Sequence, residues 1–264
     1  MGLSKQLIYI GDFYEKAQDL RKTWGTTSLY STGHKVLDVY FNGGYGRQNG
    51  YEIVLLYGPT GIGKSTVALN FIAPAIRNGT KVGLLILEDD MADVSNRLSQ
   101  ILSASEYSKM NSGNTVRCLP EDAMTKSWNL HDLLAYIEEW FVDEGVDLIL
   151  LDHLQFAFEN AESVKGENEY IAQRVFMQKL NQLMKRVNKT IILVSHVNKM
   201  TGAKGMDRIV GSGSIAQAAT KVIEIADDDM QDVIRLDLKK SRFTKRPGYH
   251  YCMKMINSRL EPAA

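Results

Sequence analysis

The stretch Gly58-Pro59-Thr60-Gly61-Ile62-Gly63-Lys64-Ser65-Thr66 decides how the rest of the chain is read. It fits the spacing G-x-x-x-x-G-K-[ST], a loop built to hold nucleotide phosphates. Its flanks suit that reading. Tyr51 to Tyr57 before it is an apolar run expected to form a buried strand, and Ser65 to Asn78 after it is expected to form a helix. Glycines let the backbone curl so that successive N–H groups face phosphates. The helix N-terminus adds a dipole that favours anions. In this arrangement Gly58 to Thr66 surround the nucleotide, Lys64 reaches the β- and γ-phosphates, and the Ser65 hydroxyl ligates Mg²⁺. A glycine-rich turn can match the spacing by accident, but the strand before it and the helix after it argue against that.

Composition sets the outer bounds. The chain has 264 residues, 44% of them hydrophobic, enough for one large globular domain or one domain with a small appendage. Its 31 basic and 31 acidic residues cancel, so no global field draws it onto nucleic acid; such binding must come from local patches or from several assembled copies. Cys118 and Cys252 lack metal-like spacing and suit a reducing compartment such as the cytoplasm, or a host cytoplasm for a phage-encoded chain. The first residues lack the apolar core of a signal peptide, and no apolar run is long enough to span a bilayer, so no membrane role is expected.

Outward from the loop, the pattern alternates. Leu7 to Leu20 has roughly helical apolar spacing and Thr23 to Gly33 reads as a linker. Residues 1–30 are therefore expected to be a helix and linker that pack on a neighbouring subunit or fold back, and residues 31–264 the main domain. Strands are expected at Lys81–Leu87, Thr115–Leu119, Val146–Leu151 and Thr190–Ser195, and helices at Met91–Ser103, Asn129–Phe141 and Asn168–Val187. Near-continuous apolar strands alternating with helices imply an α/β fold, a mainly parallel sheet covered on both faces. Lys221–Ala226, Val233–Leu238 and Tyr249–Ile256 suggest antiparallel strands added at one edge.

Ligands in such sheets bind beyond the carboxyl ends of the strands. Four strands end there in chemically useful residues: the phosphate loop, Glu88, Asp152 and His196. Asp152 suits a carboxylate that holds Mg²⁺ beside Ser65. Glu88 is the candidate general base that orients and deprotonates the attacking water, preferred to Asp89 because it directly continues its strand. His196 could donate a hydrogen bond to the γ-phosphate and report its presence to the next loop; the plain alternative is a structural histidine. That loop, Val197 to Arg208, is basic and glycine-bearing, and its Lys199, Lys204 and Arg208 could track a phosphate backbone. The densest basic run, Lys239 to Arg246, has two open readings: a nucleic-acid patch, or an arginine finger for a neighbour's γ-phosphate.

Five ordered blocks then resemble the hexameric replicative helicases with a RecA-like P-loop NTPase core: DnaB, the helicase half of T-odd phage helicase-primases, and mitochondrial Twinkle. They are GPTGIGKST at Gly58–Thr66, KVGLLILEDD at Lys81–Asp90, LILLDHLQ at Leu148–Gln155, IILVSHVNK at Ile191–Lys199 and GSGSIAQAATKVIEI at Gly211–Ile225. A sixth, LKKSRFT at Leu238–Thr244, is similar to the family's lysine–arginine finger. His196 is closer to the phage and mitochondrial branch, where DnaB-type proteins usually carry Gln. The resemblance implies that Lys64, Ser65 and Asp152 bind Mg²⁺ with ATP or another NTP or dNTP, that Glu88 is the base and His196 the γ-phosphate sensor. It implies that Arg242, helped by Lys240, completes a neighbour's site, and that Lys199, Lys204 and Arg208 line a central channel. Its partners would be single-stranded DNA, copies of itself in a hexameric ring, and replisome proteins, with travel from 5′ to 3′. In the phage relatives an Arg in the GSG block and a later Tyr hold the nucleobase; here Ala216 takes the Arg position, and Tyr249 and Tyr251 do not align cleanly, so base preference stays open. Two rivals share parts of the pattern: a filament-forming RecA-like recombinase or recombination mediator, and a monomeric nucleotide kinase.

Overall fold

The computed structural model describes residues 29–41, 43–48, 50–119, 130–159, 169–197, 213–228, 230, 232–242 and 250–263. Among the described residues, nine strands form one sheet: β1 (Glu52–Gly58), β2 (Val82–Ile86), β3 (Val116–Cys118), β4 (Leu148–Asp152), β5 (Thr190–His196), β6 (Lys221–Asp227), β7 (Val233–Ser241), β8 (His250–Ile256) and β9 (Arg259–Pro262). Their order across the sheet is β3-β2-β4-β5-β1-β6-β7-β8-β9. The described helices are α1 (Lys35–Tyr40), α2 (Lys64–Arg77), α3 (Met91–Ile101), α4 (Ala104–Ser112), α5 (Leu130–Val142), α6 (Leu154–Glu159), α7 (Glu169–Val187) and α8 (Gly213–Ala218). This is the α/β, RecA-like architecture, a mostly parallel mixed sheet with helices on both faces.

The apolar strands explain the layers. Every residue of β1, β2 and β4 is buried, as both faces of a parallel sheet must be when helices cover them. Side chains alternate faces along a strand. Val54 and Leu56 of β1 therefore join the core under α2, with Phe71 and Ile72. Ile53, Leu55 and Tyr57 join the opposite core, with Trp140 of α5 and Phe176 of α7.

Two expectations need correction. Lys221–Ala226 is not antiparallel to the core: β6 pairs with β1 in parallel, and only β7, β8 and β9 run antiparallel at the edge. The first strand of the apolar C-terminal series fills an internal position, where parallel pairing and burial go together. The helix expected to end at Ser103 ends at Ile101, and Ser103 instead starts α4 through a capping box with Glu106. The strand β9 and the helices α1, α4, α6 and α8 were not expected from the sequence pattern; apart from α4 they are too short to carry a period.

Asp38 anchors the entry to the domain, accepting from the Thr32 N–H and from both the Thr32 and Ser31 hydroxyls. Tyr30 and Tyr45 exchange backbone hydrogen bonds in an isolated bridge. The turn behind them is tied to the sheet by a buried ion pair: Lys221 Nζ lies 3.5 Å from Glu52 Oε1 and donates to the Gly44 carbonyl at 2.6 Å. The Gly46 N–H donates to Glu52 Oε2. Among the described residues, no helix is long and apolar enough to cross a membrane. The expected helix at Leu7–Leu20 and most of the linker lie outside the described residues.

Candidate functional site

The loop between β1 and α2 forms the floor of the site. Gly58 ends β1 where no side chain fits: a Cβ there would meet the Ile225 carbonyl oxygen at 2.3 Å. Gly63, with φ +89°, is the N-cap of α2 in the left-handed region that glycine tolerates. Lys64 therefore begins the helix, and the first-turn N–H groups face the space above the loop.

Lys64 is 6% exposed, and burial lowers its pKa, opposed by the charges of Asp152 and Glu88. Its ammonium donates to the Pro59 carbonyl at 2.8 Å and to Nδ1 of His196 at 3.1 Å. Thr60 Oγ1 lies 3.2 Å from the same nitrogen. Both acceptors are uncharged, so anionic phosphate oxygens can compete with them for the ammonium.

Asp152, at the end of β4, is 5% exposed and hydrogen-bonded to the Ser65 side chain. Burial pushes its carboxyl up to about 6; the Ser65 hydrogen bond and Lys64 oppose this, and Asp89 and Glu88 add to it. A hydroxyl and a carboxylate side by side are hard oxygen donors, the set Mg²⁺ takes beside a nucleotide. Ser65 and Asp152 thus fit that ion, which supplies neutralisation of phosphate charge when bound.

Glu88 follows β2. Its Oε2 lies 2.8 Å from Nε2 of His153 and 4.0 Å from Nε2 of His196. The two imidazoles pack edge to face, with centroids 4.1 Å apart. Burial, then the Lys64 charge, push both down to about 4, so they are neutral at ordinary pH. Asp89 is paired with Arg97 of α3 at 2.6 Å, while Asp90 caps α3 through the Ala92 N–H. Of the three consecutive acids, Glu88 is the one that lies against His153 and His196.

The structure therefore brings Lys64, Ser65, Glu88, Asp152 and His196 to one edge of the sheet, with the loop Gly58–Thr66 beneath them. Two further residues join them. His153 touches Glu88, and buried Gln155 accepts from the His196 N–H at 3.1 Å and donates to the Ser195 hydroxyl at 2.7 Å. Gln155 so fixes the end of β5 to the turn after β4. Both lie in LILLDHLQ, but neighbours of Asp152 in sequence carry no sign of where they point.

Lys240 and Arg242 lie at the other end of the sheet. β7 runs antiparallel to β6, so Ser241 sits opposite Lys221, the start of β6, and Lys221 sits beside Val54 in β1. The phosphate loop begins only after Gly58, about 13 Å further along β1 at the usual rise per residue. Lys240 donates to the carbonyls of Ala216 and Gln217 at 2.7 and 2.9 Å, and Arg242 to that of Gln217 at 2.9 Å. These are the last, unpaired carbonyls of α8. Burial and the nearby Arg242 push Lys240 down to about 8. Lys199, Lys204 and Arg208 lie outside the described residues.

Comparison with known proteins agrees with this architecture. The family described as an AAA domain matches residues 46–202, more than half of the chain. No curated protein sequence matches it. Among solved structures, one described as an ATPase domain is similar at 13% identity, with a TM-score of 0.70 over 97% of this chain and 98% of that one. The RadB recombinase is similar at 17% identity, with a TM-score of 0.66 over 89% and 100%. A KaiC-like protein from the hyperthermophilic archaeon Pyrococcus horikoshii is similar at 16% identity, with a TM-score of 0.68 over 89% and 98%.

Proposed function

The chain belongs to the AAA domain family, and from that premise we propose that it is a nucleoside triphosphatase working as a ring-shaped DNA helicase on single-stranded DNA. Mg²⁺ and ATP, or another NTP or dNTP, occupy the site above Gly58–Thr66. Lys64 and the α2 N-terminus bind phosphates, Ser65 and Asp152 hold the metal, and Glu88 takes a proton from the attacking water. His196 senses the γ-phosphate. Lys199, Lys204 and Arg208 grip DNA from the loop that follows His196. Residues 1–30 dock on an adjacent subunit.

The observation that supports the ring is the position of Arg242. It is exposed and lies at the opposite end of the sheet from its own phosphate loop. It cannot reach its own nucleotide, whereas a copy beside it presents a second site, as a finger acting in trans requires. A hexamer fits the resemblance to replicative helicases, and replisome partners and 5′-to-3′ travel come with it. The similarity to a recombinase of comparable TM-score keeps one rival in view, a filament-forming ATPase on single-stranded DNA.

The deciding experiment measures nucleotide hydrolysis with and without single-stranded DNA and images the protein with nucleotide and DNA. Closed rings, DNA-stimulated hydrolysis and unwinding of a forked duplex support the helicase. Open helical filaments without unwinding support the recombinase. Hydrolysis indifferent to DNA in a monomer refutes both.

A further inference from the structure

We infer that His153 is a positioning residue: its Nε2–H holds the Glu88 carboxylate in the orientation from which that group acts on water. The inference rests on Glu88 being the base of the proposed reaction.

The tautomer follows from the hydrogen bonds. Nδ1 of His153 accepts the Phe156 N–H at 3.1 Å, from the first turn of α6. A neutral imidazole with an accepting Nδ1 carries its proton on Nε2. That nitrogen faces Glu88 Oε2 at 2.8 Å, the length of a charge-assisted hydrogen bond. The His153 side chain is 7% exposed, packed edge to face with His196, while the Glu88 side chain is 52% exposed. A fixed, buried donor thus restrains a carboxylate that solvent would otherwise leave to several rotamers. Oε1 is left to address a water above the phosphate loop.

The same geometry argues against another use of the cluster. The ligand atoms of Glu88, His153 and His196 lie within 4.8 Å of one another, close enough for a transition metal to bridge them. A metal on His153 Nε2 would move the proton to Nδ1, where it would oppose the Phe156 N–H. Nδ1 of His196 accepts from the Lys64 ammonium, so that ring too carries its proton on Nε2. Both imidazoles present N–H groups, not lone pairs, towards Glu88.

Two substitutions separate the roles of the two ring nitrogens. In H153Q the amide nitrogen falls near the former Nε2 and can donate to Glu88. In H153N the side-chain oxygen falls near the former Nδ1 and can accept from Phe156, but nothing reaches Glu88. Steady-state hydrolysis of Mg-ATP by the full chain is measured for both, with H153A, E88Q and the double variant E88Q/H153A. Nucleotide affinity and melting temperature are measured alongside. H153A should lower kcat about 10- to 100-fold, the scale of a misplaced catalytic group, with KM and affinity within about twofold. H153Q should restore most of kcat and H153N little, and H153A should not slow E88Q further. Rescue by H153N but not H153Q would overturn the inference in favour of local packing, and this comparison decides even if H153A misfolds. So would an H153A of normal rate beside an inactive E88Q, or tight Zn²⁺ binding that H153A abolishes. A normal rate in E88Q instead refutes the base assignment itself.

Discussion

Lys64 and His196 share a hydrogen bond across 3.1 Å, with the ammonium donating to Nδ1. The contact joins the start of α2 to the end of β5, and the basic loop begins one residue later. In the proposed reaction a γ-phosphate that draws Lys64 away would remove the donor from His196 and so signal to the root of that loop.

His196→Ala should therefore keep nucleotide binding but lose the acceleration of hydrolysis by single-stranded DNA. His196→Gln should keep part of it, since an amide can still donate to a phosphate. Lys64→Ala should fail earlier, with weakened nucleotide binding. Nucleotide titrations and hydrolysis rates with and without DNA distinguish the three; full DNA stimulation in His196→Ala would remove the sensor role.

Asp152 makes the site sensitive to acid. Its carboxyl is raised from 3.8 to about 6, chiefly by burial. Mg²⁺ needs the carboxylate, so Mg²⁺-dependent nucleotide binding should weaken as pH falls through about 6. Stability should move the other way. A raised carboxyl pKa favours the folded state most at low pH, and that contribution is lost as pH rises from about 4 through about 6. Asp152→Asn should flatten both trends. Binding titrations and melting curves between about pH 4 and 8 test this, and pH-independent Mg²⁺ binding in the native protein would contradict it.

Arg242→Ala should bind nucleotide through its intact phosphate loop yet hydrolyse it very slowly, because trans fingers contribute about 10³–10⁵ in turnover. Mixing it with Lys64→Ala subunits should restore some activity, since interfaces pairing an intact loop with an intact finger reappear. Arg242→Lys should not rescue fully, lacking the planar fork. A normal DNA-free rate in Arg242→Ala would leave the residue as the cap of α8 that its bond to Gln217 already makes it.

The triple variant Lys199→Ala, Lys204→Ala, Arg208→Ala should weaken single-stranded DNA binding and flatten its salt dependence. Each lost phosphate contact lowers the log–log slope by about 0.7. DNA-free hydrolysis should survive. An unchanged slope would move the DNA contact elsewhere, first to the basic run around Arg242.

The pair Glu52 and Lys221 should matter for stability alone. Both side chains are almost wholly buried, at 2% and 3% exposure. Lys221→Met removes the ammonium and leaves the buried carboxylate with the Gly46 N–H, and should cost up to about 3–5 kcal/mol, the usual penalty for halving a buried pair. Adding Glu52→Gln should recover part of the loss, measurable by denaturant unfolding. Equal, additive losses would show that the two groups do not interact.

The sequence by itself determined the parallel core, the phosphate loop and the residues that end its strands. Those features are local: an apolar run, a glycine-rich turn and a helix follow one another directly in the chain, and ligands of such sheets gather at the strand ends. The start of α4 was equally local, written in the Ser103–Glu106 box, yet apolar spacing alone stopped at Ser103 and gave no sign of the helix beyond it. Pairing was not local. The direction of β6 depends on which strand it meets, and its apolar pattern is the same whether Val54 of β1 lies parallel beside it or not. The tertiary structure also paired Asp89 with Arg97, eight residues away, and left Glu88 beside the histidines. It brought His153 onto Glu88 and set Arg242 far from its own nucleotide loop. Each of these is a contact between segments whose spacing in the chain carries no period, so it exists only once the sheet has closed the distance between them.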